Sequence, residues 1–143
     1  KKDVTYVSGR YLNHPRYRYK FYSVGGKARD KVLLVVRKIF VDEVSCLRIV
    51  DVIGDTSCVP NLYLDLQSAL ERERSEYIDF LSFGYAINDV MRIGFLKRES
   101  GIVIPHLFEP FEHSNQDILF AYKTQERSFL MCKGDSDLDR PNI

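Results

Sequence analysis

Leu47-Arg48-Ile49-Val50-Asp51-Val52-Ile53, closed by Gly54, is the stretch on which the fold turns. A short, nearly continuous apolar run of this kind has no polar face to offer water, so it reads as a central strand covered on both sides. The residues that follow, Asp55-Thr56-Ser57-Cys58-Val59-Pro60, carry helix-start signals: hydroxyl and carboxylate caps, then a proline suited to a first turn. Leu62, Leu66, Ala69 and Leu70 share one helical face and predict a helix that ends in the polar residues Glu71 to Arg74. Tyr77 to Phe83 reads as the next strand. Strand, helix and strand at this spacing form a right-handed parallel βαβ unit.

Upstream of that unit, Arg16-Tyr17-Arg18-Tyr19-Lys20-Phe21-Tyr22 alternates strictly between basic and aromatic side chains. Period two predicts a strand with one solvated and one buried face. Gly25-Gly26 and the charged residues to Lys31 form a turn. Val32 to Val41 is β-branched and apolar, so the two segments are expected to make an antiparallel hairpin. Downstream, a second helix is expected over Tyr85 to Ile93, with Ile87, Val90 and Met91 inward and Gly94 ending it. Further strands are expected at Ile102 to Ile104, Asp117 to Tyr122 and Ser128 to Cys132. The expected fold is a mixed α/β (α+β) sheet in a single domain over residues 1–133, with a polar tail over 134–143.

At 143 residues the chain is long enough to bury a core without disulfides or metals. Hydrophobic residues make up 45% and charged residues 29%, an ordinary globular balance. The net charge of +1 gives no general attraction to nucleic acid or to anionic membrane. In the basic-aromatic segment, strand geometry separates the cations from the rings, which removes a mixed stacking platform. No apolar run approaches the roughly 18–20 residues of a membrane span, and no signal peptide opens the chain. Cys46, Cys58 and Cys132 fit neither a disulfide framework nor a zinc pattern. These features predict a cytoplasmic protein that binds neither nucleic acid nor membrane. The chain starts Lys-Lys-Asp, which suggests a piece whose preceding part is missing; a sheet edge left bare by that loss would favour a homodimer.

Several side-chain groups carry candidate chemistry. The loop from Pro105 to Asn115 gathers His106, Glu109, Glu112, His113 and Asn115, where a His or Glu can serve as general base. The alternative is a solvated loop whose Phe108, Pro110 and Phe111 pack on the sheet. The spacing matches no metal-binding helix, so no metal is expected. Asp51 and Asp55 flank the C-terminal end of the central strand, where open α/β sheets place their ligands. Asp51 inside an apolar strand needs a partner. Arg48 would point to the opposite face of a regular strand and is not the obvious one. Asp55 is equally suited to capping the following helix. Asp135, Asp137 and Asp139 alternate, but they lack the Gly and distal Glu of a calcium loop.

The order hairpin, central strand, helix, strand, helix, strand, strand resembles the C-terminal portion of a GNAT-type acyl-CoA N-acyltransferase fold, without its first strand and first two helices. Ala86, eight residues before Gly94-Phe95, resembles the small-residue helix that leads into a Gly-Phe pair in those enzymes. The segments Arg10 to Pro15, Leu47 to Asp51, Phe108-Glu109-Pro110-Phe111 and Gly134 to Asn142 are similar to a bacterial branch associated with surface-polysaccharide biosynthesis. The resemblance implies an acyltransferase that takes acetyl-CoA or another acyl-CoA and acylates an amine or hydroxyl of a sugar-like acceptor. Glu109 or His106 would be the base, with Asp51 a third catalytic candidate, and Gly54, Thr56, Ser57 and Asn61 would hold the cofactor. The chain departs from the family at two points. The phosphate-binding stretch has one Gly, with Asp55 opposing an anion and Pro60 unable to donate. Val90 stands where many members place an acidic Tyr. A non-catalytic GNAT-like binding or interaction module is therefore the alternative.

Overall fold

The structure, a computed structural model, describes residues 2–24, 31–99, 101–104, 114–115 and 117–136. It is a mixed α/β fold built on a four-stranded sheet in the order β1-β2-β3-β4, with β1 Lys20–Val24, β2 Val32–Val41, β3 Val44–Gly54 and β4 Tyr77–Phe80. β1, β2 and β3 run antiparallel to their neighbours, while β4 lies parallel to β3, from Cys46 opposite Tyr77 to Ile49 opposite Phe80. The connection between that parallel pair contains a 3-10 segment, Thr56–Asn61, and then helix α2, Tyr63–Glu73. The hairpin, the doubly covered central strand and the βαβ unit thus match the sequence reading.

The two sheet faces are filled differently. On one, Leu34, Val36, Leu47, Ile49 and Val52 pack against Val59, Leu62, Leu66 and Ala69 of the crossover and against Ile93. On the other, Val35 and Val50 pack against Tyr11, Tyr6 and Val7, with Tyr19 and Phe21 of the β1 side completing the cluster. An N-terminal segment that carried no periodic signal supplies this second cover: α1, Val4–Val7, capped by Asp3, and a π-helical turn, Ser8–Leu12.

A β-bulge decides which face Asp51 joins. β2 and β3 stay in register from Val32–Gly54 to Val35–Asp51, then resume at Val36–Ile49, leaving Val50 as the extra residue. A bulge shifts the alternation by one. Arg48, Val50 and Asp51 consequently share the Tyr11 side, whereas a regular strand would separate Arg48 from Asp51. Arg48 still pairs elsewhere, with its Nε 2.6 Å from the Asp79 carboxylate of β4.

The C-terminal third departs from the expected elements. Tyr77 to Phe83 is interrupted at Leu81: after β4 the chain turns into β5, Ser82–Phe83, which pairs antiparallel with β6, Met131–Cys132. The second helix is shorter than expected, α3 Ile87–Arg92. Ile93, just past its end, is buried, while Ile87 and Met91 within it are exposed. Gly94 ends it at a φ of 97°. Ile102–Ile104 and 117–122 are irregular instead of strands. Isolated apolar triplets form strands only where an edge accepts them, and here each runs beside other irregular chain. Gly134 to Ser136 pack into the fold: Lys133 and Gly134 are buried, and Arg10 donates to the Ser136 carbonyl at 2.9 Å.

Candidate functional site

Among the described residues a groove of about 720 Å³ lies beside β4, walled by α2 through Tyr63 and Leu66, by α3 through Val90, and by Phe95 and Ile102. All four residues of β4 line it. Its volume falls within the roughly 300–1,000 Å³ typical of small-molecule sites. The walls are mainly apolar because each contributing element turns its helical or strand stripe inward. Polar groups enter at the rims, with Glu76 at one end of β4 and Lys97 and Arg98 beyond α3. Among the described strands β4 pairs with β3 alone, so its outer backbone edge faces the groove.

The residues expected to hold a cofactor pyrophosphate lie elsewhere. Gly54 closes β3 at a φ of 117°, and a Cβ there would meet the Lys31 carbonyl oxygen at 2.5 Å. That glycine is required by hairpin packing. The Asp55 carboxylate accepts from the Ser57 amide at 3.0 Å. Hydrogen bonding to the Ser57 side chain, together with that amide bond, holds the Asp55 carboxyl below its usual range. The cap reading of Asp55 is the observed one, and the Ser57 N–H is already engaged. The Cys58 amide bonds to the Asp55 carbonyl. Thr56 is half-buried and Asn61 exposed, and none of Gly54, Thr56, Ser57 and Asn61 lines the groove.

Asp51 is fully buried and lies at the centre of a polar cluster drawn from both ends of the described chain. The Tyr11 hydroxyl donates to it at 2.7 Å, and the Lys2 ammonium forms an ion pair with it. Lys2 also pairs with Asp135 at 2.8 Å. The Asp135 carboxylate in turn accepts from the Cys132 amide at 2.9 Å. Tyr85 and Cys132 approach to 3.6 Å behind it. Burial pushes the Asp51 carboxyl up, and the Lys2 contact only partly offsets that rise. Lys2 is raised too, because its two carboxylates outweigh its burial. Burial also drives the Tyr11 and Tyr85 hydroxyls well above their ordinary value and lifts the Cys132 thiol to about 11. The Cys132 sulfur stays protonated at neutral pH and is a poor nucleophile. Ligand atoms of Asp51, Cys132 and Asp135 come within 4.8 Å of one another, and Lys2 already brings a positive charge to the two carboxylates.

Of the three catalytic candidates, Asp51 belongs to this cluster and lines neither of the two cavities described here. His106 and Glu109 lie outside the described residues, as do Glu112, His113, Asp137 and Asp139. The two ends of their loop are fixed nonetheless. Asn115 accepts from the Ile104 amide and donates to the Ile102 carbonyl, both at 2.8 Å, so the loop springs from the groove wall that carries Ile102. His14 is engaged locally: its Nδ1 accepts from the Tyr17 amide at 2.9 Å, and its ring stacks on Tyr17.

No family model, curated protein or solved structure matches the chain. The site therefore rests on its own geometry. Sequence reading missed Lys2 and Tyr11 as partners of Asp51, and Asp135 as the second carboxylate on Lys2, since no short-range spacing links positions so far apart. It also missed the β4 edge as a groove wall, because the alternation of Tyr77 to Phe80 marks a strand and says nothing of which side is bare. Chemically, the groove offers a mainly apolar surface with a strand edge along one wall and Lys97 among its polar residues. The Asp51 cluster offers a neutralised, buried anchor.

Proposed function

We propose that the chain is a GNAT-like domain that binds an acyl-CoA in the groove beside β4 and passes its acyl group to an amine or hydroxyl of a sugar-like acceptor. The observation that carries this reading is the outer edge of β4, which pairs with no further strand among the described residues, beside a groove of ligand size. A pantetheine arm is elongated and bears two amides, so it can pair with a strand edge as an extended peptide does. The rim cation Lys97 suits the phosphates of that ligand, while Arg98 beside it is ion-paired with Asp117 at 2.6 Å. The element order from β1 to β4 agrees with the resemblance noted from sequence. Glu109 and His106, on the loop that leaves the groove wall at Ile104, are the proposed bases.

Isothermal titration with acetyl-CoA and free coenzyme A tests the binding. Saturable heat near a one-to-one ratio, lost in Ile87→Asp and in Leu96→Asp, is the expected result; both positions are exposed and line the groove. Absence of heat at millimolar ligand would overturn it. Acyl-CoA turnover in Glu109→Gln and His106→Ala tests the chemistry, and unchanged turnover in both removes them from the mechanism.

A second reading, a non-catalytic GNAT-like binding module, is favoured by one observation: Asp55 caps the Ser57 amide that a pyrophosphate would need. Binding without turnover toward any amine or sugar acceptor decides for it.

A further inference from the structure

The second cavity, about 170 Å³, lies on the other side of Ser82, which lines both cavities. Phe83 and Phe120 form its mouth, and Cys132 and Lys133 its floor. These residues meet because β5 and β6 pair through Ser82–Cys132 and Phe83–Met131. Around the mouth the rings form one connected patch: Phe83 lies 5.2 Å from Phe120, 5.3 Å from Phe129 and 6.1 Å from Tyr122. The patch is left in water, with Phe83 and Phe120 each 40% exposed and Tyr122 59% exposed. Exposed contiguous aromatic surface at the rim of a cavity marks a binding site more often than a packing accident.

We propose that this cavity is the acceptor subsite and that it takes one pyranose ring; this rests on the reading of the larger groove as the acyl-CoA site. Size supports one ring, since a cavity of about 150 Å³ accommodates a benzene-sized molecule. Amphipathic shape supports a sugar. A pyranose lays its C–H face on Phe120 or Phe83 and keeps its hydroxyls in solvent or on Ser82, which satisfies a mouth that is apolar on one side and wet on the other. Continuity supports the role: a ring laid on Phe83 or Phe120 is beside Ser82, which also lines the larger groove.

Titrating methyl hexopyranosides and 2-amino-2-deoxy-hexopyranosides, with cyclohexanol as the apolar control and tyrosine fluorescence as the signal, tests the assignment. Acetyl-CoA is titrated separately into the same samples. Saturable sugar binding should weaken about tenfold in Phe120→Ala, a loss of about 1.4 kcal/mol. Phe120→Leu should do the same to the sugar while sparing cyclohexanol, because leucine keeps the volume and loses the flat face. Acetyl-CoA affinity should not change in either variant. Acetyl-CoA binding without sugar binding, or sugar binding indifferent to Phe120→Leu, overturns the subsite and leaves the groove reading intact. Sugar binding without acetyl-CoA binding overturns the groove reading and leaves the ring site standing.

Discussion

The two faces of the sheet solve the same burial problem by opposite means. The α2 face is a continuous apolar contact, Leu34, Val36, Leu47, Ile49 and Val52 against Leu62, Leu66 and Ala69. The N-terminal face mixes packing with charge: Arg48 with Asp79, and Asp51 with Lys2 and Tyr11. Arg37 stacks over Tyr17 at 3.8 Å beside them. Apolar contacts are non-directional and tolerate adjustment, whereas buried charges are stable only while every partner is present. The first face should therefore give way gradually under mutation, and the second abruptly.

Removing one half of a buried pair is the sharpest way to break that contrast. Arg48→Met leaves the Asp79 carboxylate uncompensated and should cost about 3–5 kcal/mol in urea unfolding, whereas Arg48→Met with Asp79→Leu should recover most of it. If the double variant were no more stable than the single, the charge argument for this face would fail. Leu66→Ala, on the α2 face, should cost about 2–5 kcal/mol by transfer and cavity effects, and a Met at the same position should cost well under half of that.

Gly134 sharpens the comparison because the N-terminal face closes on it. A Cβ at Gly134 would lie 2.2 Å from the Tyr11 hydroxyl oxygen and 3.0 Å from the Val50 carbonyl oxygen. Gly134→Ala should cost about 1–3 kcal/mol, the usual range for overpacking. Tyr11→Phe should cost about 1.5–3 kcal/mol through its lost bond to Asp51. The two together should cost less than their sum, since removing the hydroxyl relieves the clash. Strict additivity in thermal melts would show that the contact does not govern the site.

Lys2→Met acts through pH. Without its cation Asp51 stays buried with its carboxyl raised further above the unfolded value. The folded state then binds more protons than the unfolded one, and stability falls as pH rises above the ordinary Asp range. The expected result is a variant whose melting temperature declines from pH 4 toward neutrality more steeply than that of the wild type. A parallel pair of curves would remove Lys2 from the cluster's electrostatics.

The smallest effect belongs to Glu73 at the end of α2. Burial there raises its carboxyl, but the Lys20 and Tyr22 hydrogen bonds outweigh burial and hold it below its usual value. Burial, with the Glu73 hydrogen bond, pushes Tyr22 up to about 12. A depressed carboxylate contributes stability above its unfolded pKa and loses it as pH falls through the folded one. Acid melts of Glu73→Gln should therefore be flatter than wild type below the ordinary Glu range.

This contrast also explains what was legible beforehand. The α2 face was readable because Leu62, Leu66, Ala69 and the alternation of β2 are short-range periodicities. The N-terminal face was not: Asp51 announced the need for a partner, but Lys2, Tyr11 and Asp135 are separated from it by 40 residues or more. The regular-strand assumption also failed at Val50, where no glycine or proline marks the bulge. In the C-terminal third, Leu119 at 93% and Tyr122 at 59% exposure show why alternation misled: an apolar pattern specifies a strand only when a neighbour covers it. Of the candidate site, the α2 wall followed from periodicity, whereas the helical reading of α3 turned Ile87 and Met91 inward and both are exposed. The cavity at Ser82 did not, since it depends on β5 meeting a segment about 50 residues away.

The bulge at Val50 acts as a parity switch in β3: residues before it and residues after it reach the helix on opposite beats, Leu47 and Ile49 on one and Val52 on the other. Were Val50 instead paired in register, Asp51 would be carried into the apolar layer beneath α2 and Val52 turned away from it, whereas loss of Val50 itself would leave both on their present faces. The bulge thus lets Val50 and Asp51 sit side by side on the N-terminal face without disturbing the apolar beat beneath α2.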